Sequence, residues 1–113
     1  MALTHPLSDE LVALIAARFR VLGEPMRIRL LDCLRGGDAT VQELADAAGS
    51  TQQNVSKHLG VLHTAGLVSR RKEGTFSRYA IADPGVFALC EDVCGSLAAQ
   101  LESLRGLVEG VRG

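Results

Sequence analysis

Apolar residues return every three or four positions through most of the chain, and the pattern changes to alternation only between residues 67 and 81. The first run, Leu11, Leu14, Ile15, Arg18, Phe19 and Leu22, predicts a helix that Ser8 caps and Gly23 ends. Asp9 and Glu10 suit its positive N-terminus. Residues 1–7 are expected as a loose tail, because Pro6 keeps His5 out of helical backbone. Pro25 opens a second helix that runs to about Arg35, with Ile28, Leu31 and Leu34 as its buried stripe and Gly36-Gly37 as its stop. On it, Arg27 and Arg29 are expected to be solvated or paired with acids. Thr40 to Gly49 predicts a short third helix, in which Thr40 and Glu43 make a capping box and Gly49 closes the end. Ser50 to Gly66 predicts a fourth, with Ser50 and Gln53 as a second capping box, Val55, Leu59 and Leu62 facing the core, and Gly66 after its last turn. The alternating segment is two β runs, Leu67–Lys72 and Thr75–Ile81, flanking a turn at Glu73-Gly74. Ser77, Tyr79 and Ile81 fall on one face, and Phe76, Arg78 and Ala80 on the other. Asp83 as N-cap and Pro84 at the first position then start a long helix reaching about Val108. Along it Val86, Cys90, Val93, Leu97, Leu101, Leu104 and Val108 form a narrow seam like that of a coiled coil.

A short helix, a turn at Gly49-Ser50 and a second helix make a helix-turn-helix, with the second helix as the reader. The reader's outer side carries Gln53, Ser56, Lys57, Gly60 and Thr64, mostly short and polar, with one cation and no acid. Amides, hydroxyls and a lysine opposite a buried stripe suit the DNA major groove. The same pattern fits an ordinary amphipathic surface helix with a solvated outer side. The hairpin that follows is basic, and a basic hairpin directly after a helix-turn-helix is a wing. Candidate DNA-binding residues are therefore Ser50, Thr51, Gln52, Gln53, Ser56, Lys57 and His58 on the reader, and Arg70, Arg71, Lys72 and Arg78 on the wing. Gln53 is the best placed to meet a base, and His58 supports the helix or nears the DNA backbone.

The stretch from Leu22 to Ile81 resembles the ArsR/SmtB family of bacterial winged-helix repressors. The matching pieces are Leu22-Gly23-Glu24-Pro25-Met26-Arg27-Ile28-Arg29-Leu30-Leu31, Val41-Gln42-Glu43-Leu44-Ala45 and Asn54-Val55-Ser56-Lys57-His58-Leu59. Leu62, Ala65-Gly66-Leu67-Val68, Arg71, Gly74 and Tyr79 follow in order at fitting spacing. The resemblance implies a mostly α fold with a small β-hairpin wing, a winged helix-turn-helix that binds double-stranded DNA as a homodimer through its first and last helices. Leu11, Leu14, Ile15 and Phe19 would then meet the partner from the first helix, and Val93, Leu97, Leu101 and Leu104 from the last. One domain over residues 1–113 is expected, with the helix-turn-helix at about 41–65, the wing at about 67–81 and the dimerisation helix at about 84–108.

Composition adds bounds. A chain of 113 residues fits one domain, and a dimer interface would help so short a chain bury its apolar surface. The net charge of −1 gives no global basic signal, but residues 50–81 hold five cations against one acid. A local basic patch on a mildly acidic body is the footprint of a regulated DNA binder. No apolar run nears the roughly 20 residues of a membrane span, no secretory signal is legible at the N-terminus, and the odd count of three cysteines makes no disulfide scaffold. A reducing cytoplasm is the expected setting.

Cys90 and Cys94 stand one turn apart on the last helix, and Cys33 lies near the end of the second. Three thiolates would suit a soft ion such as trivalent arsenic, with cadmium or zinc less suited. Equally, free cysteines pack as small hydrophobes. Measured against the family, the thiolate pair of its arsenic and cadmium sensors falls at Thr40 and Gln42, which carry no thiol. The family's zinc site across the last helices keeps only Asp83, with Gly85, Ser96 and Ala99 where imidazoles are needed. Cys33 lies about one residue from the position used by the family's sulfur sensors. Two functions stay open: a repressor switched by something bound to or reacting with its thiols, through a thiophilic ion or a redox step, and a protein-interaction module. An enzyme is not expected, since no phosphate loop or nucleophile-and-base motif is present.

Overall fold

The computed structural model describes residues 3–112, with side chains through residue 109. Its elements run α1 (Asp9–Leu22), α2 (Pro25–Leu34), β1 (Ala39–Thr40), α3 (Val41–Ala48), α4 (Gln52–Thr64), β2 (Val68–Glu73), β3 (Phe76–Ile81) and α5 (Gly85–Arg112). They fall into two compact units divided after Ala82, so that α1 to β3 lie in the first and α5 in the second.

A leucine-rich core holds the first unit. α2 supplies Leu30, Leu31 and Leu34, α3 supplies Leu44, Ala45 and Ala48, and α4 supplies Val55, Leu59 and Leu62. Leu67, Val68 and Tyr79 close it from the hairpin side. Burying one such aliphatic side chain is worth about 1.5–3 kcal/mol, against about 0–1 kcal/mol for an exposed ion pair. Apolar burial therefore decides how the three helices sit. The α4 stripe is the expected one. The α2 stripe is not, since Leu30 is buried and Ile28 is 47% exposed. The core face of α2 runs through residues 27, 30, 31 and 34, which carries Arg27 inward. Its Nε is buried and has no hydrogen-bond partner among the described residues, while the residue as a whole is half-buried, so Arg27 is less open to solvent than expected.

Both helices of the helix-turn-helix end in the same backbone closure. Gly49 has φ of 65°, its N–H reaches the Asp46 carbonyl, and the Ser50 N–H reaches Ala45 at 3.0 Å. Gly66 has φ of 77°, with its N–H on His63 and the Leu67 N–H on Leu62, both at 3.0 Å. Such left-handed positions favour glycine. The first closure corrects the expected start of the reader. The Ser50 amide still closes α3, so α4 is capped one residue later, where Thr51 Oγ1 accepts from the Asn54 N–H at 3.1 Å. Ser50 Oγ instead accepts from Asn54 Nδ2 at 3.0 Å.

The hairpin is joined by a strand the sequence did not announce. β1 pairs antiparallel with β3, giving the sheet order β1-β3-β2 and placing Thr40 opposite Arg78. β2 and β3 pair from Val68 with Ile81 out to Glu73 with Phe76. The turn is thus the two-residue loop Gly74-Thr75, one position beyond the expected Glu73-Gly74, with φ of 62° at Gly74. A glycine opening a two-residue loop matches the twist of the flanking strands.

In the second unit Asp83 Oδ1 accepts from the Gly85 N–H at 3.0 Å. α5 starts at Gly85 rather than Pro84 and runs to Arg112, past the expected end at Val108. Its seam residues Val93, Leu97, Leu101 and Leu104 are all at least half exposed, as are Leu14 and Phe19 on α1, which buries none of its residues.

The expected capping box on α3 forms. Thr40 Oγ1 accepts from the Glu43 N–H at 3.2 Å, and Glu43 Oε1 accepts from the Thr40 N–H at 2.9 Å. The Thr40 backbone and side-chain bonds, with a smaller pull from Arg78, hold the Glu43 carboxyl below its ordinary value of 4.5. The charged form is thus favoured in the folded state, and its stabilisation is full above 4.5 and lost as pH falls through the lowered folded value. Glu43→Gln keeps a box-forming side chain but not the charge. Urea unfolding of the wild type and Glu43→Gln should differ above about pH 5 and converge as acid protonates the carboxyl; a gap independent of pH would exclude the charged cap.

Candidate nucleic-acid interface

Burial of Val55, Leu59 and Leu62 turns the opposite side of α4 outward, so Gln52, Gln53, Ser56, Lys57, Gly60 and Thr64 are exposed. Thr51 is exposed at the helix start and Ser50 is half-buried beside it. The far end is tied down by Arg18 of α1, whose Nη2 donates to the Ala65 carbonyl at 3.1 Å. A cation there also complements the negative end of the helix. Along the reader lies an open groove of about 500 Å³, walled by Gln42, Gln52, Gln53 and Ser56 on the helices and by Arg70, Thr75 and Phe76 on the hairpin. Side-chain amides offer a donor and an acceptor in one plane, the pattern that pairs bidentately with adenine. Phe76 was read only as a strand residue. Its ring is 62% exposed at the hairpin tip, and its place beside Gly74 was the signal that could have set it apart.

His58 does not join this surface. The buried stripe of α4 includes position 58 between Val55 and Leu62, and His58 is 8% exposed. Its Nδ1 lies 3.8 Å from Glu24 Oε2 without a hydrogen bond. His58 is therefore a packing residue that links the reader to the start of α2, where Glu24 also accepts from the Arg27 N–H at 3.1 Å.

The wing cations divide by strand face. Pairing of Arg70 with Tyr79 and Lys72 with Ser77 puts these four on one face, and pairing of Arg71 with Arg78 puts those two on the other. On the second face Arg78 Nε lies 2.8 Å from Glu73 Oε2, with its Nη1 3.5 Å from Asp38 and 3.7 Å from Glu43. Arg71 Nη2 lies 3.4 Å from Asp38 and 3.5 Å from Glu73. Of the four candidate wing cations, Arg70 and Lys72, like Lys57, have no ion pair among the described residues.

The three thiols are free. Cys33 and Cys90 are half-buried and Cys94 is exposed. Among the described residues no three His, Cys, Asp or Glu side chains stand where they could hold one metal ion. Cys90 and Cys94 together supply two donors, half of a tetrahedral set. No helix among the described residues is long and apolar enough to cross a membrane.

Residues 22–71 match a helix-turn-helix domain family. Over 106 residues the chain is 36% identical to the HTH-type transcriptional regulator Rv0081 of Mycobacterium tuberculosis, covering 93% of each. It is 41% identical over 83 residues to a probable mercury resistance operon repressor of Streptomyces lividans, covering 74% of this chain and 62% of that one. The crystal structure of Rv0081 superposes with a TM-score of 0.76 at 37% identity, covering 85% of this chain and 97% of that one. A homodimeric winged helix-turn-helix DNA-binding domain from Mycobacterium bovis, described as a possible ArsR-family regulator, superposes with a TM-score of 0.73 at 31% identity, covering 88% and 94%.

The two neighbours Lys57 and His58 should part company on substitution. In urea unfolding, Lys57→Ala should leave the unfolding free energy within about 0.5 kcal/mol of wild type, and His58→Ala should cost about 1–3 kcal/mol by opening the core. Equal, small effects would return His58 to the surface.

Proposed function

Since the chain belongs to the ArsR/SmtB family of winged-helix transcriptional regulators, we propose that it is a dimeric repressor released from its operator by an agent acting on α5 thiols. The DNA reading rests on one observation above others: an acid-free helix face of amides and hydroxyls that carries Lys57 shares a groove with Arg70, whose strand face also carries Lys72, and no carboxylate among the described residues engages these three cations. Gln53 takes the base contact in the major groove. Lys57, Arg70 and Lys72 take phosphates, the wing lying along the backbone. The protein works by binding, not catalysis, and in the cytoplasm.

The dimer reading follows from apolar surface. Leu14 and Phe19 on α1, and Val93, Leu97, Leu101 and Leu104 on α5, are exposed in the single chain. A second copy covering them would hold two readers at a fixed separation, as two half-sites one helical turn apart require. The homodimeric state of the Mycobacterium bovis domain supports this. The whole chain then acts as one regulator, with residues 83–112 joining the subunits.

For the inducer, Cys90 and Cys94 sit on the helix that carries this seam, and Cys94 is open to solvent. A thiophilic ion drawn to both thiolates would strain the seam and shift the readers. The Streptomyces lividans relative is named for mercury resistance, which supports a soft ion. A hundredfold loss of DNA affinity needs about 3 kcal/mol of coupling, within the usual range. A disulfide or polysulfide bridge between the same thiols is the second reading.

Leu97→Asp should convert the dimer to monomer in sedimentation and lower DNA affinity with it, because a carboxylate would face apolar neighbours. An unchanged dimer would remove α5 from the interface. Reduced protein bound to operator duplex should be released by mercury, arsenite or cadmium in the wild type, and not in Cys90→Ser or Cys94→Ser. Release by oxidant or polysulfide alone would select the redox reading, and serine variants that respond as the wild type would reduce the cysteines to packing residues.

A further inference from the structure

Arg78 is held by three carboxylates, Asp38, Glu43 and Glu73. It projects from the middle of β3 at 30% side-chain exposure. Its Nε meets Glu73 of β2 at 2.8 Å, and its Nη1 meets Asp38, from the segment before β1, and Glu43, from the first turn of α3. One guanidinium thus joins the hairpin to the loop after α2 and to the start of the helix-turn-helix. Glu43 is also the carboxylate of the α3 capping box, so the contact reaches the element that fixes where α3 begins. Backbone pairing adds a second tie at the same place, because Thr40, the cap residue, lies opposite Arg78 across the sheet.

Charge decides what this face does near DNA. Asp38, Glu43 and Glu73 stand against Arg71 and Arg78, which leaves the cluster with one excess negative charge. A phosphate approaching Arg78 would have to displace Glu73 from a short charge-assisted bond and come up beside two more carboxylates. Arg70 and Lys72, on the opposite strand face, impose neither cost. Isolated exposed ion pairs contribute little, but this is a connected set on a partly covered guanidinium.

We propose that Arg78 is a positioning residue: it latches the wing to the start of α3 through Asp38, Glu43 and Glu73, fixes the wing's angle to the reader, and makes no phosphate contact in the DNA complex. The inference deepens the DNA-binding reading above and rests on it. A planar fork is what three carboxylates in different directions require, and a lysine, with one compact charge, cannot replace it. A phosphate contact would accept lysine as a point charge. Substitution by lysine therefore separates the two roles.

The test uses the full-length protein and operator duplex over a salt series. Arg70→Gln and Lys72→Gln should each flatten the plot of log affinity against log salt by about 0.9. Arg78→Gln and Arg78→Lys should both leave that slope as in the wild type while lowering operator affinity roughly fivefold or more. Amide hydrogen exchange in β2 and β3 should quicken in both Arg78 variants, measured without DNA. The proposal is overturned if Arg78→Gln flattens the slope as Lys72→Gln does while Arg78→Lys binds like the wild type. It is equally overturned if neither variant changes affinity or exchange. A wild type that bound no duplex would instead sink the DNA reading, and the exchange measurement would still decide whether the latch exists.

Discussion

Everything on the DNA-facing side depends on the rotation of α4 about its own axis, and burial of Val55, Leu59 and Leu62 sets that rotation. All three are fully buried against leucines of α2 and α3. Rotating the helix by one residue, about 100°, would bring Ser56 or Asn54 toward the core and expose a leucine, at a cost far above what any surface contact returns. The polar face is therefore displayed as a consequence of packing and needs no ligand to hold it. His58 is a by-product of the same rotation. It lies too close to the stripe to escape it, and its Nδ1 comes to 3.8 Å from Glu24 Oε2.

Two glycine closures then fix what enters and leaves the reader. At Gly49 the chain leaves α3 with the Ser50 amide still committed to Ala45, and at Gly66 it leaves α4 with the Leu67 amide committed to Leu62. Leu67 and Val68 follow directly into the core, so the wing begins from a buried anchor. The groove between reader and wing is the space left between these two rigid exits.

The parts of this arrangement that were legible in the sequence are those governed by local backbone chemistry and by a strong period. Helix ends at Gly23, Gly49 and Gly66, the Thr40–Glu43 box and the Val55-Leu59-Leu62 stripe follow from spacing alone. What was not legible depends on atoms distant along the chain. Ser50 matches an N-cap as well as Thr51 does, but with its amide closing α3 its Oγ accepts from the Asn54 side chain, and Thr51 Oγ1 takes the Asn54 N–H. Ile28 and Leu30 are equally apolar, and the choice between them is made by which side of α2 meets α3 and α4. β1, with two residues, is too short to carry a period. The cations of the wing could be counted, but not sorted, because the acids that engage Arg71 and Arg78 include Asp38, some thirty residues or more upstream. The affinity of Cys90 and Cys94 for any agent depends on what surrounds α5 in an assembled dimer, which one chain's sequence does not encode locally.

The two-residue loop at Gly74-Thr75 has an effect beyond turning the chain. Strand side chains alternate, so the length of the loop sets the parity with which β3 is laid against β2. With two residues, Arg78 falls opposite Arg71 and beside Glu73, and Arg70 and Lys72 are left on the side of Tyr79. Inserting or deleting a single residue there would swap odd for even along β3, pulling Tyr79 out of the core and turning Arg78 toward the reader. The wing's two-sided charge is therefore a digital property of the fold. Individual residues on either face can drift by substitution one at a time, but the polarity itself can only be inverted in one step, and that step also unseats the core.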